Sequence, residues 1–335
     1  MHTATDPLST MSDPTPAGAS ITWESARQLF GLDSDLQVPR LTGDDSLVPD
    51  IDPNYRFDPE VTRAVLAGFI HNSRVLIQGL HGTGKSTHIE QVAARLNWPV
   101  MRINLDGQIS RTDLVGKDQV VIEDGHPRTR FEDGIVPFAL GRPMALIFDE
   151  YDAGRPEVMF IIQRLLEREG LFTLTEQNRV IRPHPQFRLF ATANTVGLGN
   201  LNGLYSGVKR LNQAQLDRWG IVAKLDYLTP QAEYDVVTGQ VPGFVDRFGR
   251  ETAETMVAVA NMTRTGFAAG DLSALMSPRT VISWAQNALI FNDVELAFKF
   301  SFANRCDPSE HVLLGEFLQR GFGTDPAVLT SLSVD

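Results

Sequence analysis

Five short apolar runs stand out along the chain: RVLIQG (74–79), PVMRINL (99–105), MALIFDE (144–150), FRLFATAN (187–194) and IVAKLDY (221–227). They are continuous rather than alternating, the pattern of parallel strands covered on both faces. Helical patterns fill the gaps, as right-handed crossovers require. The stretch DPEVTRAVLAGFIHN starts with an Asp cap at 58 and Pro59 at the first helical position; Val61, Val65, Leu66 and Phe69 share one face. After 229 the strands stop, and 229–240, 251–265, 278–291, 293–304 and 309–321 read as helices. The chain is therefore predicted to be α/β: a parallel sheet flanked by helices, then a smaller all-α unit.

Two stretches interrupt this plan. Residues 106–136 contain QVVIEDGHPRTRFEDG, a predicted hairpin turning at Asp124-Gly125. Residues 171–186 alternate and turn near Gln177-Asn178, which predicts a second hairpin. Ahead of the sheet, TWESARQLFGL (22–32) reads as a short helix opened by a Thr cap with Ser25 following and ended by Gly31. Residues 33–56, acidic and proline-punctuated, read as a linker or wrapping segment. The expected divisions are a flexible tail (1–20), a short helix and linker (21–56), the α/β core (57–228), the helical unit (229–325) and a tail (326–335).

The first apolar run ends in Gly79-Leu80-His81-Gly82-Thr83-Gly84-Lys85-Ser86, which fits G-x-x-x-x-G-K-[ST] in full and is followed by Thr87. Strand before and helix after are the context that this motif needs. Glycines let the backbone curl so that N–H groups face phosphate oxygens, and the helix adds the positive end of its dipole. Lys85 is expected to reach the β- and γ-phosphates, and Ser86 to offer its hydroxyl to Mg²⁺. ATP and Mg²⁺ are thus the expected cofactors. Asp149 and Glu150 close a second strand; the first can hold the Mg²⁺, the second can orient and deprotonate water. Asn194 closes a third strand, where ligands of open α/β sheets lie, and can position that water. Arg218 and Arg279 are candidates to stabilise γ-phosphoryl charge. His81 and His88 read as a loop filler and a solvated helix residue.

Composition narrows the field. The chain has 335 residues, 42% hydrophobic and 21% charged, a globular balance. Thirty basic against 41 acidic residues give −11, which counts against a surface devoted to nucleic acid. The single cysteine, Cys306, excludes internal disulfides and Cys-pair zinc sites, and reads as a small structural residue rather than a nucleophile. The seven histidines show no metal-binding spacing. No apolar run approaches membrane-spanning length, and the N-terminus has no secretory pattern, so the expected location is cytoplasmic.

The P-loop, Asp-Glu pair, strand-end Asn, LDRW and SPRT occur in the order found in AAA+ ATPases, which this set resembles. That resemblance implies Arg218 acting in trans on a neighbour's nucleotide and Arg279 acting in cis from a lid domain. The hairpin insertions and LDRW are similar to the MoxR and magnesium-chelatase branch. From about 21 to about 325, the chain resembles the small ATPase subunits of aerobic cobaltochelatases (CobS type), most specifically in DEYDAGRP and RVIRPHP. The resemblance implies a hexameric ring driving Co²⁺ into hydrogenobyrinic acid a,c-diamide, with a large tetrapyrrole-binding subunit and a metal-ion-domain (VWA) subunit as partners. This chain has no D-x-S-x-S site of its own, so the metal-ion domain must be another polypeptide. Three alternatives stand beside it. A MoxR-like ATPase could remodel a VWA partner unrelated to cobalamin. A nucleic-acid motor conflicts with the charge, and a non-hydrolysing scaffold with the Asp-Glu pair.

Overall fold

A computed structural model describes residues 20–105, 108–123, 126–167, 169–194 and 213–323. The expected turn at Asp124-Gly125 and, apart from Ser20, both tails lie outside these residues. In chain order the elements begin with β1 (Ile21–Ser25), α1 (Ala26–Phe30), β2 (Gln37–Leu41), α2 (Pro59–His71), β3 (Val75–Gln78), α3 (Lys85–Arg95) and β4 (Val100–Asn104). They continue with α4 (Arg111–Val115), β5 (Gly116–Glu123), β6 (His126–Asp133), α5 (Ile135–Leu140), β7 (Ala145–Asp149) and α6 (Pro156–Leu166). Next come β8 (Phe172–Leu174), β9 (Arg179–Ile181), β10 (Arg188–Ala193), α7 (Gln213–Leu216) and β11 (Ile221–Lys224). The chain closes with α8 (Pro230–Gln240), α9 (Phe244–Phe248), α10 (Arg250–Ala269), α11 (Pro278–Phe291), α12 (Val294–Ser301) and α13 (His311–Phe322).

The five apolar runs form one sheet, ordered β11-β3-β10-β7-β4 and parallel throughout. The three central strands are buried at every position, whereas β4 and β11 at the edges alternate with exposed residues. Successive side chains go to opposite faces. Leu76, Leu146, Phe148 and Leu189 pack with α4, α5 and α6; Val75, Ile77, Ile147 and Phe190 pack with α2, α3 and the N-terminal segment. Helices α8–α13 enclose a separate apolar cluster around Val237, Met256, Trp284, Phe298 and Leu314. The short α9 was not expected from the sequence.

Both hairpins are present. β5 pairs with β6 from Gly116↔Asp133 to Glu123↔His126, and β8 pairs with β9, turning through Asn178 in a left-handed conformation.

The N-terminal reading needs correction. Residues 21–25 form a strand, not the first turn of a helix, and pair antiparallel with β2 inside the supposed linker. The pattern ITWES is too short to separate the two periods. The helix is only α1, which begins after Ser25 rather than at the Thr cap and stops at left-handed Gly31 as expected. The hairpin is tied to the core by Leu41 N–H donating to Leu96 O at 3.0 Å and by Asn97 Nδ2 donating to Leu41 O at 3.0 Å.

His88 also departs from expectation: it is 1% exposed rather than solvated. Its ring sits between Tyr55 Oη, 3.0 Å from Nδ1, and Thr62 Oγ1, 3.0 Å from Nε2. Burial pushes its pKa from 6.5 down to about 4, against a small opposing pull from Asp58. Between those values the unfolded chain takes up a proton that the folded chain refuses. Stability therefore falls as the pH drops through that window, by about 3 kcal/mol for this one group. Urea unfolding from pH 7.5 to 4.5 should show a shallower acid dependence in His88→Gln than in the parent; equal slopes would assign the acid sensitivity to other groups.

Candidate active site

The sheet order creates the site. β10 lies between β3 and β7, and all three run in the same direction. Their carboxyl ends therefore place the glycine loop after β3, Asn194 after β10 and Asp149-Glu150 at the end of β7 side by side.

The loop reaches α3 through Gly82 and Gly84, both left-handed (φ 75° and 85°), a conformation that side chains resist. Thr83 closes the turn, its hydroxyl donating to Leu80 O at 3.0 Å. Lys85, Ser86 and Thr87 are the first three residues of α3, where backbone N–H groups lack intrahelical acceptors and the dipole favours anions. Lys85 is 6% exposed and curls inward. Its Nζ donates to Gly79 O at 3.0 Å, Leu80 O at 2.9 Å and Asn194 Oδ1 at 2.9 Å. Burial pushes its ammonium down to about 8, opposed by Asp149, Asp152 and Glu150.

Asp149 meets Ser86 directly: Ser86 Oγ donates to Oδ1 at 2.6 Å. Thr192 Oγ1 donates to the same oxygen, and Arg102 donates to Oδ2 through Nε at 2.9 Å and through Nη2. Burial alone would raise this carboxyl. The donors Ser86, Thr192 and Arg102 outweigh it and hold the pKa below the usual carboxylate range. Glu150 follows in a left-handed conformation (φ 55°), its N–H donating to Thr192 Oγ1 at 3.3 Å. Asn194 is fixed through its own N–H, which donates to Asp152 Oδ2 at 3.1 Å.

Lys85, Ser86, Asp149, Glu150 and Asn194 are thus brought together; the two arginines lie on other elements. Arg279 is exposed in the first turn of α11. The cap of that helix, Ser277, abuts the glycine loop: a Cβ built on Gly82 would stand 2.3 Å from Ser277 Cβ. Arg218 forms a half-exposed ion pair with Glu167 at 3.6 Å. Its neighbour Trp219 is buried and meets Tyr151 edge-on, with ring centroids 5.2 Å apart. Cys306 is buried and its thiol is pushed up to about 12, mainly by burial, so it is no nucleophile.

Sequence reasoning missed Arg102, Thr192, Asp152 and Tyr227. Tyr227 Oη donates to the loop carbonyl of His81 at 2.7 Å, and Arg264 stacks on its ring, 4.3 Å from the centroid. The available signal for Arg102 was a charge breaking an apolar run; for Tyr227 it was an aromatic just past a strand.

Gly79 is required for space. A Cβ there would lie 2.1 Å from the Leu225 carbonyl oxygen. Gly79→Ala should lower stability by about 1–3 kcal/mol through overpacking, and loosen the loop. Thermal unfolding together with nucleotide titration checks this; an unchanged melting temperature would contradict the contact.

Comparison with known proteins agrees with this geometry. Residues 74–215 match the AAA domain of the dynein-related subfamily. The chain is 59% identical over 301 residues to the aerobic cobaltochelatase subunit CobS of Sinorhizobium sp, covering 90% of this chain and 91% of that one. The chain belongs to the CobS family of AAA+ ATPases. Weaker matches to this CobS-type chain are midasin of Dictyostelium discoideum, 31% identical over 145 residues (43% of this chain, 2% of that one), and protein CbbQ of Hydrogenophilus thermoluteolus, 25% over 198 residues (59% and 68%). Among solved structures, the Holliday junction branch migration motor RuvB of Thermotoga maritima aligns with a TM-score of 0.46 at 14% identity, covering 82% of this chain and 80% of that one. As a CobS-type AAA+ protein the chain is an ATP-dependent enzyme. Among the described residues, no helix is long and apolar enough to cross a membrane, and no cluster of His, Cys, Asp or Glu could hold a metal by itself.

Proposed function

We propose that this chain is the ATP-hydrolysing motor subunit of an aerobic cobaltochelatase, driving Co²⁺ into hydrogenobyrinic acid a,c-diamide in cobalamin biosynthesis. The observation that carries this reading is the 59% identity to a cobaltochelatase subunit across nine-tenths of both chains. The site supports the ATP half of it independently.

Mg²⁺ fits the donors present. Ser86 Oγ and Asp149 Oδ1 are hard oxygen ligands 2.6 Å apart, the chemistry that this cation selects. Bound there, it would neutralise β- and γ-phosphate charge. The loop glycines (Gly79, Gly82, Gly84), Thr83 and the first turn of α3 hold the phosphates. Lys85 releases its carbonyl partners and turns to the γ-phosphate. Glu150 takes the proton of the attacking water, and Asn194 orients it through its amide. Arg279 senses the γ-phosphate from the helical lid, whose cap already touches the glycine loop. Arg218, offered by a neighbouring subunit, stabilises charge during transfer. This requires a closed ring, which we take to be a hexamer.

Loss of the γ-phosphate shifts the lid and, with it, the hairpins that face the partners: a metal-ion-domain (VWA) subunit and a large subunit that holds the tetrapyrrole. The lid comprises 229–325 and the ATPase core 57–228. The cytoplasm is the compartment, and the ring is of the MoxR type.

The test is ATP-dependent cobalt insertion with this chain and both partner subunits of a cobaltochelatase. Insertion that needs this chain and stops with Glu150→Gln supports the reading. ATP hydrolysis without insertion, with partners shown to bind, would move the client to another VWA protein unrelated to cobalamin.

A further inference from the structure

Arg102 lies on β4, the edge strand beside β7, where the register sets Ile147 opposite it. It reaches past that partner to the strand end. Two of its N–H groups, on Nε at 2.9 Å and on Nη2, point at Asp149 Oδ2. Its third, on Nη1, reaches Glu90 Oε1 at 3.4 Å. Glu90 is four residues beyond Ser86 on α3, so both project from the same helix face. With Ser86 and Thr192 on Oδ1, both oxygens of Asp149 are taken, and one of the donors is a cation.

A divalent cation drawing on Asp149 therefore meets a guanidinium on the same carboxylate. Like charges that close repel strongly in a partly buried site. A second carboxylate already stands within reach to receive the guanidinium. We propose that Arg102 is a placeholder cation: it holds Asp149 when no metal is bound and passes to Glu90 when Mg²⁺-nucleotide binds. It is a positioning residue, acting on the nucleotide only through Asp149. The inference rests on the ATP-site reading above and adds a charge exchange to it; no bond is made or broken.

The test is Mn²⁺ binding, read by electron paramagnetic resonance of the free ion, with a non-hydrolysable ATP analogue. Parent, Arg102→Gln, Glu90→Gln and the double variant are compared, each checked for folding by circular dichroism. Arg102→Gln should lower the Mn²⁺ needed for half-saturation roughly tenfold, as expected for removal of a competing charge-assisted hydrogen bond. Glu90→Gln should raise it, because the guanidinium loses its second partner. The double variant should match Arg102→Gln, since Glu90 acts through Arg102. Additive effects in the double variant would reduce this to through-space charge and overturn the exchange. So would a rise in Mn²⁺ demand on removing Arg102, which would make the pair a static brace. A parent protein that binds no Mn²⁺-nucleotide would sink the ATP-site reading itself, and the exchange with it.

Discussion

Glu150→Gln should leave nucleotide binding intact and lower ATP hydrolysis by about two to four orders of magnitude, the usual contribution of a general base. The amide keeps the size and the hydrogen-bonding outline of the carboxylate but cannot accept a proton. Binding is expected to survive because, in the site proposed above, the loop, Lys85 and Asp149 hold the phosphates without Glu150. The backbone is also undisturbed, since its left-handed turn and the Glu150 N–H bond to Thr192 do not involve the side chain. Phosphate release under saturating ATP and calorimetric titration of nucleotide separate the two effects. A variant that retains half the parent rate would remove Glu150 from the chemistry. One that loses binding as well would give it a structural role instead.

Glu233→Ala should destabilise the helical region by about 3–5 kcal/mol, the cost of breaking a buried pair from one side. Glu233, on α8, is 0% exposed and receives both arms of Arg264 from α10, at 2.7 and 2.6 Å. The same guanidinium donates to Asn261 Oδ1 at 2.9 Å and to Met276 O at 2.7 Å. Removing the carboxylate strands a buried charge. It also frees the turn at Met276 and Ser277 that leads to Arg279, while Arg264 loses its fixed seat on Tyr227. Stability and hydrolysis should therefore fall together, with a drop of roughly 10 °C in melting temperature. Calorimetry gives the loss, and hydrogen exchange should localise it to α8, α10 and α11. A shift within 1–2 °C, roughly the effect of a surface substitution, would show that the pair is not holding this region.

The five sheet strands could be read from the sequence because burial on both faces leaves unbroken apolar runs, and the glycine loop because its backbone demands are so specific. Hence Lys85, Ser86, Asp149, Glu150 and Asn194 could be named as a group before any geometry. Other features depend on contacts far apart in the chain. β1 and β2 exist because 21–25 and 37–41 find each other, and neither has a strand signature alone. His88 reads as polar and solvent-facing until Tyr55 and Thr62 close over it. Arg102 reads as an oddity in a strand until the strand end beside it proves to be acidic. The contact between Ser277 and Gly82 joins residues almost 200 positions apart, which no local pattern could announce. Arg218 and Arg279 were named from their order in the chain. Their partners on the nucleotide belong to the assembly proposed above, not to contacts within one chain.

Glu150 sits in the left-handed region (φ 55°, ψ 45°), which costs a side chain of its kind about 1–2 kcal/mol relative to Gly. The residue proposed above as the general base is therefore one that the fold would be more stable without. Heat tolerance and activity pull in opposite directions at this position. A library of this chain selected only for survival at high temperature should collect Gly or Asn at 150. It would yield proteins that last longer, still hold nucleotide, and have stopped cleaving it.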